Sequence, residues 1–252
     1  MPKISVLMIT YNRELFLKKA IDSVLLQKLK DLEIVLVDDG SADNTKVVVD
    51  NYISVGAPIK YVKNKVNRGI VESRNLALSL CSGEYIAVLD SDDIWIDNNK
   101  LNKQLDFLEK NKQYGVCGSM AKVIDNFDRI SGDIALKSSD SAIRRRILLS
   151  NQFINSSVLM RRDLLDKIGF YKNYLVGEDY DLFLRIGLVG KFFNFSDKMI
   201  AYRKHSGSIT KEKRFVASKE HLKIVKKYKG KYPLYFIAVV KSYLRIIFSF
   251  IL

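Results

Sequence analysis

Four apolar runs of strand length, each followed at once by a polar cluster, constrain this chain more than any other feature. "ISVLMIT" (4–10) leads into "YNR", "LEIVLVDD" (32–39) into "GS", "IKYVKN" (59–64) into "KVNRG", and "EYIAVLD" (84–90) into "SDD". Runs that are apolar nearly throughout, rather than at every second position, mark strands buried on both faces. Stretches of helical spacing lie between them. In "ELFLKKAIDSVLLQ" (14–27), Leu17, Ile21, Val24 and Leu25 share one face. "SADNTKVVVDNYI" starts a helix with Ser41 placed to cap it, and "GIVESRNLALSLCSG" (69–83) is rich in helix formers and closed by Gly83. This order predicts an α/β fold, a mostly parallel sheet flanked by helices. Ligands on such sheets sit beyond the carboxyl ends of the strands, so one crevice can collect all four polar clusters.

After about residue 115 the rhythm loosens. "VCGSMAKVID" reads as a strand, "SAIRRRILLS" as a helix, and "NSSVLMRRDLLDKIG" as a short strand running into a helix. "GEDYDLFLRIGLVG" (177–190) opens a helix with acids in its first turn, which suits the helix dipole. "KFFNFSDKMIAYRKH" (191–205) supplies one or two strands, "SGSITKEK" a polar loop, and residues 215–228 and 233–252 two more helices. With 252 residues, 48% of them hydrophobic, the chain can bury a sizeable core and is not disordered. The first apolar run is short and has no small-residue cleavage site after it, so it reads as a strand rather than a leader. Cys81 and Cys117 lie far apart, in neither metal nor redox spacing, and read as small buried hydrophobes in a reducing compartment.

The net charge is +14, and most of it lies at one end: from Lys211 to Leu252 there are eleven Lys/Arg and two acids. A nucleic-acid binder would interleave basic and aromatic residues on one face. Here the surplus stands beside an apolar segment, while the clusters after the strands are rich in acids that would repel phosphate, so no nucleic-acid partner is expected. Within "LYFIAVVKSYLRIIFSFIL" (234–252), Ala238, Lys241, Ser242, Arg245 and Ser249 form one polar stripe on an otherwise apolar helix. That pattern suits a helix lying in an anionic membrane surface, stripe toward the headgroups and Phe236, Ile237, Val240, Leu244, Ile247 and Phe248 in the acyl boundary. A helix packed on the rest of the protein, or on a homodimer partner, fits the same pattern.

"LDSDD" holds the chemistry. In an extended segment Asp90 and Asp92 face one point, with Asp93 turned elsewhere. Two converging carboxylates repel unless a cation lies between them. Oxygen-only ligands suit Mn²⁺ or Mg²⁺, ions that share protein carboxylates with substrate phosphates. A solvated acidic turn is the plainer reading of so short a motif.

The ordered set "ISVLMITYNRELFLKKAIDSVLLQ", "VDDGSADNT", "NRGIVESRNLAL", "LDSDD" and "GEDYDLFLR" resembles the family 2 glycosyltransferases, from Ile4 to about His205. The resemblance implies the GT-A fold, a Rossmann-like sheet, in an inverting enzyme that uses a UDP-sugar and a divalent metal. It places Tyr11 against the uracil ring, flanked by Thr10 and Asn12, with Asp39 hydrogen-bonding the base and Arg74 near the nucleotide. Asp38 would support that loop. Asp92 would ligate the metal, and Asp90 would hold the ribose or a metal-bound water. Asp179, behind Glu178, matches the general base that takes the acceptor hydroxyl's proton. His205 falls where a third metal ligand would lie, or is a surface residue. Trp95 could stack on a sugar or simply pack.

Processive relatives carry a Gln-x-x-Arg-Trp motif and long transmembrane helices. Trp95 is the one tryptophan and is not in that setting, so a single addition is expected. A nucleotidyltransferase would bear a Gly-rich basic loop where "TYNREL" has no glycine. A non-catalytic nucleotide-sugar binder remains an alternative, against which Asp92 and Asp179 both argue. The expected organisation is a catalytic domain over 1–210, split into a nucleotide-binding half (1–115) and an acceptor half (116–210), and a basic helical tail over 211–252. The acceptor would be a glycan or lipid-linked intermediate of surface polysaccharide synthesis, met at the inner, cytoplasmic face of the cell membrane.

Overall fold

The structure, a computed structural model, describes residues 1–204 and 214–249. The first half follows the expected alternation closely: β1 (Ile4–Thr10), α1 (Glu14–Leu25), β2 (Leu32–Asp38), α2 (Thr45–Ser54), β3 (Ile59–Lys63), α3 (Ile70–Leu80) and β4 (Tyr85–Val88). The second half holds β5 (Ile94–Trp95), α4 (Lys100–Lys110), β6 (Tyr114–Ile124), β7 (Ile130–Ile134), α5 (Asp140–Ile147), β8 (Leu159–Arg161), α6 (Arg162–Ile168), α7 (Glu178–Val189) and one long β9 (Lys191–Arg203). Two helices follow, α8 (Arg214–Lys227) and α9 (Tyr235–Phe248).

One sheet runs through the molecule in the order β3-β2-β1-β4-β8-β6-β9-β5, with β7 added to β6. The strands β1 to β4 pair in parallel, whereas β8 is antiparallel to both β4 and β6. The sheet is therefore parallel where the sequence alternates and mixed beyond it. Alternate residues of one strand serve opposite cores. Leu7 of β1 joins the cluster that includes α3 and α7, while Val6 and Met8 join the cluster beneath α1, α2 and α4. Two cores need apolar residues at both parities, which is why the strands read as continuous runs. Cys81 and Cys117 are free and buried, one in each core.

Register brings the strand ends level. Thr10 pairs with Asp38, and Asp38 with Lys63, so the loops after β1, β2 and β3 leave the sheet together.

Two expected boundaries differ. Ser41 does not cap α2, which starts at Thr45. The Ser41 hydroxyl accepts the Asn12 N–H, and Asp43 takes the Thr45 N–H. Nor does Gly83 close α3, which ends at Leu80. A Cβ at Gly83 would stand 2.5 Å from the Ser5 nitrogen; this glycine lets the chain press against β1 as it enters β4.

The tail hairpin packs on the rest of the protein, and it does so through the polar stripe rather than the apolar face. Ala238 and Ser242 of the polar stripe are buried. The Ser242 hydroxyl contacts His221 of α8 at 3.0 Å, and Arg245 donates to the Leu149 carbonyl at 2.9 Å. The His221 ring stacks flat on Tyr180 of α7, 5.2 Å between centroids. Burial, with the charges of Arg245 and Lys241, pushes the His221 pKa down to about 4, so the imidazole is neutral. Burying polar groups is tolerable because they bond one another. The apolar face of α9 points outward: Phe236, Ile237, Val240, Leu244, Ile247 and Phe248 are all exposed. Covering a side chain of this size releases about 1.5–3 kcal/mol.

Candidate active site

The loops after β1 and β2 are zipped together by short polar side chains. Asn12 has φ of 51°, a left-handed conformation that asparagine tolerates. Its N–H donates to Ser41 Oγ (2.9 Å), and its Oδ1 accepts the Ala42 N–H (2.8 Å). This leaves the neighbouring Tyr11 ring 46% exposed above the loop. Thr10 is buried, and among the described residues its hydroxyl has no partner.

The two acids of "VDDGS" divide their work. Asp38 accepts the Ser41 N–H (2.7 Å) and the Tyr61 hydroxyl (2.8 Å), so it supports the loop, as expected. Asp39 faces the loop after β3. It accepts the side chain of Asn64 and the backbone N–H groups of Arg68 and Gly69, all within 2.9 Å. Gly40 between these loops has φ of +84°, and a Cβ there would meet the Val66 carbonyl carbon at 2.8 Å. Gly40→Ala is therefore expected to cost about 1–3 kcal/mol of stability through backbone strain and overpacking. Chemical denaturation measures this loss, and an unchanged midpoint would disprove the close approach.

The "DSDD" segment is a turn, not the extended stretch expected. The Asp93 N–H donates to the Asp90 carbonyl (3.0 Å), so side-chain alternation does not hold there. Asp93 points inward, where its carboxylate accepts the Ser156 hydroxyl and the Arg203 N–H. Burial, then the charges of Asp92 and Asp90, push its pKa well up. Asp92 keeps 24% of its side chain exposed, with Arg13 Nε at 3.9 Å. Asp90 is held by the Asn155 amide (3.0 and 3.1 Å) and by Arg74 (2.8 Å).

Arg74 is 3% exposed and spans the site. One guanidinium nitrogen binds Asp90, and the other binds Glu178 at the start of α7. Burial alone would lower its pKa, but Asp90 and Glu178 outweigh that and raise it, so the charge is retained. Tyr171 lies 5.4 Å from the guanidinium, and among the described residues its hydroxyl has no partner. This clamp brings the start of α7, and with it Asp179, to the carboxyl end of β4. Asp179 is half-buried, accepts the Asn151 amide at 3.3 Å, and has its pKa pushed up to about 7 by burial and then by the charge of Glu178.

Several groups that build this site were not picked out from sequence. Ser156 accepts the Asp90 N–H, donates to Asp93, and offers its carbonyl to the indole N–H of Trp95. Trp95 is accordingly a buried packing residue, with the Lys100 ammonium 4.1 Å above its ring. Arg203 is buried and donates to the Asp92 carbonyl (2.8 Å) while pairing with Asp128 (2.6 Å). Asn151, Asn155 and Ser156 sit in an ordinary polar stretch between two elements, and nothing in its composition sets them apart. His205 lies outside the described residues. Among the described residues no group of three or more His, Cys, Asp or Glu converges as a complete metal cage.

Known proteins share this fold. A solved structure of Staphylococcus aureus TarS residues 1–349 in complex with UDP-GlcNAc superposes with a TM-score of 0.74 over 96% of this chain and 72% of that one, at 21% identity. The mannosyltransferase PcManGT from Pyrobaculum calidifontis, in complex with GDP-Man and Mn²⁺, gives 0.72 over 97% and 74%, at 17% identity. At such identities the likeness establishes the fold, a GT-A sheet. In sequence, the chain is 35% identical over 184 residues to an Escherichia coli protein, UDP-Glc:alpha-D-GlcNAc-diphosphoundecaprenol beta-1,3-glucosyltransferase WfgD, covering 73% of this chain and 69% of that one. The chain spans 66% to 74% of the length of the first curated relatives it matches. The sequence pattern of Glycosyl transferase family 2 matches residues 5–169, which hold the β1, β2 and β4 loops, Arg74 and the Ser156 turn. With the sheet, the loops and the relatives in agreement, this chain belongs to glycosyl transferase family 2 and is a glycosyltransferase.

Proposed function

We propose that the protein moves one sugar from a UDP-sugar to a glycan or lipid-linked acceptor, with inversion at the anomeric carbon, as a step of surface polysaccharide synthesis. The observation that carries this reading is the Arg74 clamp. It ties the acidic loop after β4 to the acidic start of α7 and so sets two carboxylate centres with different environments around one space. The names of WfgD, which acts on a diphosphoundecaprenol-linked acceptor, and of TarS, which binds UDP-GlcNAc, support the donor and acceptor classes.

The residues fit a divalent cation, Mn²⁺ or Mg²⁺. Asp92 offers hard carboxylate oxygen at a partly exposed position, where donor phosphate and water would supply the remaining ligands. PcManGT, solved with Mn²⁺, supports the same choice. In this reading Asp92 is the direct ligand, and His205 would add a third. When bound, the ion would neutralise charge on the departing diphosphate.

The chain's own residues do the rest. The exposed Tyr11 ring stacks on uracil, held there by Asn12 and Thr10. Asp39 meets the base with the acceptor capacity that its three hydrogen bonds leave. Asp90 orients the ribose from between Arg74 and Asn155. Asp179 takes the proton from the acceptor hydroxyl as that oxygen bonds to the anomeric carbon. The bond from that carbon to the diphosphate oxygen breaks on the opposite face, and its electron pair leaves with UDP. Residues 1–115 thus hold the donor and 116–210 the acceptor. A lipid-linked acceptor would place the reaction at the cytoplasmic face of a membrane, with 211–252 as the attachment. Among the described residues no helix is long and apolar enough to cross one.

A screen measuring nucleoside diphosphate release from a panel of nucleotide sugars, with and without Mn²⁺, tests the reaction. Release restricted to non-uridine donors would overturn the donor class. Asp92→Asn is expected to weaken Mn²⁺-dependent UDP binding by at least about tenfold, the scale of losing one charge-assisted ligand. Calorimetry giving the same affinity in both proteins would remove Asp92 from the metal site.

A further inference from the structure

We propose that the outward face of α9 is a docking surface for an anionic lipid bilayer, with the helix lying in the plane of the membrane. This rests on the membrane placement proposed above and names the surface that makes it. Phe236, Ile237, Val240, Leu244, Ile247 and Phe248 stand on one side of the helix, and all are exposed. The opposite side, Ala238, Ser242 and Arg245, is committed to His221 and the Leu149 carbonyl. The apolar face is therefore not the back of a helix that has yet to settle on the body. The body already holds the polar stripe, and among the described residues the six large apolar side chains stay 47–75% exposed.

Charge selects the occupant. Lys226 lies against Tyr243 of the same exposed face, 3.1 Å from Nζ to the hydroxyl. Lys229 and Lys231 sit exposed in the turn before α9, and Lys241 stands on its flank. Arg146 of α5 adds a further positive charge beside Lys241. Glu220 is the one acid among described residues 214–249. A rim of this sign repels a second copy of itself and attracts acidic headgroups, while the residues inside it are of the kind that enters the acyl boundary. Among the described residues α9 has 14, fewer than a bilayer span needs, and Lys241 and Arg245 interrupt its apolar run, which favours the in-plane arrangement.

The surface is joined to the site. Arg245 holds the Leu149 carbonyl, and two residues on, Asn151 donates to Asp179. Docking thus fixes the segment that lines the acceptor side, so a lipid-borne acceptor and Asp179 are brought to the same level.

The test uses the full chain, without donor or acceptor. Sedimentation with phosphatidylcholine vesicles containing about a third phosphatidylglycerol is expected to show binding at least about tenfold tighter than to pure phosphatidylcholine, falling as salt rises. In Phe236→Trp, the new fluorescence should shift to the blue on vesicle addition and be quenched by brominated acyl chains, against the constant signal of buried Trp95. Val240→Asp with Ile247→Asp should lose vesicle binding while keeping the thermal midpoint. No binding to anionic vesicles at low salt overturns the proposal. So does a Phe236→Trp shift that follows protein concentration rather than lipid, which would make α9 the interface of a homodimer. Transfer to a soluble acceptor analogue, measured without vesicles, tests the reaction separately. A protein that binds vesicles but transfers nothing refutes the reaction and leaves the surface standing.

Discussion

Asp179→Asn is expected to lower transfer by about 10²–10⁴-fold, the usual worth of a general base, while UDP-sugar affinity stays near that of the unaltered protein. The amide keeps the shape of the side chain and can still meet Asn151, so the loop should hold. What it lacks is a place for the acceptor's proton. The pH profile gives an independent reading. Burial and the neighbouring Glu178 charge push the Asp179 pKa up to about 7. The base works only when deprotonated, so kcat/KM should climb with pH below about 7 and level off above it. Asp179→Asn should abolish that acid limb. A variant that transfers at a near-normal rate, or loses donor binding in proportion to rate, would make Asp179 a capping residue of α7 instead.

Arg74→Ala should have the largest effect on stability, about 3–5 kcal/mol, because it strands Glu178 as a buried carboxylate without its partner. Arg74→Lys keeps the charge but not the fork that reaches two carboxylates from one plane, so it should recover only part of the loss. Arg74→Met combined with Glu178→Met removes both buried charges and should recover most of it, since well-packed apolar replacements of a buried pair are often neutral. Urea denaturation of the four proteins distinguishes these cases. If the double variant is as unstable as Arg74→Ala, the clamp is not what the arginine contributes. If the double variant is stable yet inactive, the clamp serves the reaction by holding Asp90 and α7 in place.

The parallel half of the fold was legible because its physics is local. A strand buried on both faces must be apolar at both parities, and the four runs at residues 4–90 show this directly. The Asp90–Asp93 segment was misread because side-chain alternation applies only to extended chain, and a single hydrogen bond from Asp93 to the Asp90 carbonyl converts it to a turn. Which of three adjacent acids turns inward depends on Ser156 and Arg203, which lie 63 and 110 residues further along from Asp93. No local signal can carry that information. The resemblance places Arg74 near the nucleotide, but its two partners, Asp90 and Glu178, lie 16 and 104 residues away, and nothing local in the sequence names them. The tail shows a different limit. An amphipathic pattern tells that a helix has two faces, but which one meets the body is decided by what the body offers. Here that was a carbonyl at Leu149, which Arg245 reaches while Ser242 meets His221 of the tail's own α8.

The Arg74 clamp also bears on recombination. Arg74 lies within the segment matched by the family pattern, and Glu178 lies beyond its end at residue 169. A chimera that keeps residues 1–115 of this enzyme and imports the rest from a relative would cut between the two. Its success should depend less on where the join is made than on whether the imported helix begins with an acid at the position of Glu178. Under the proposed division of labour, exchanging acceptor preference would mean carrying this one carboxylate along.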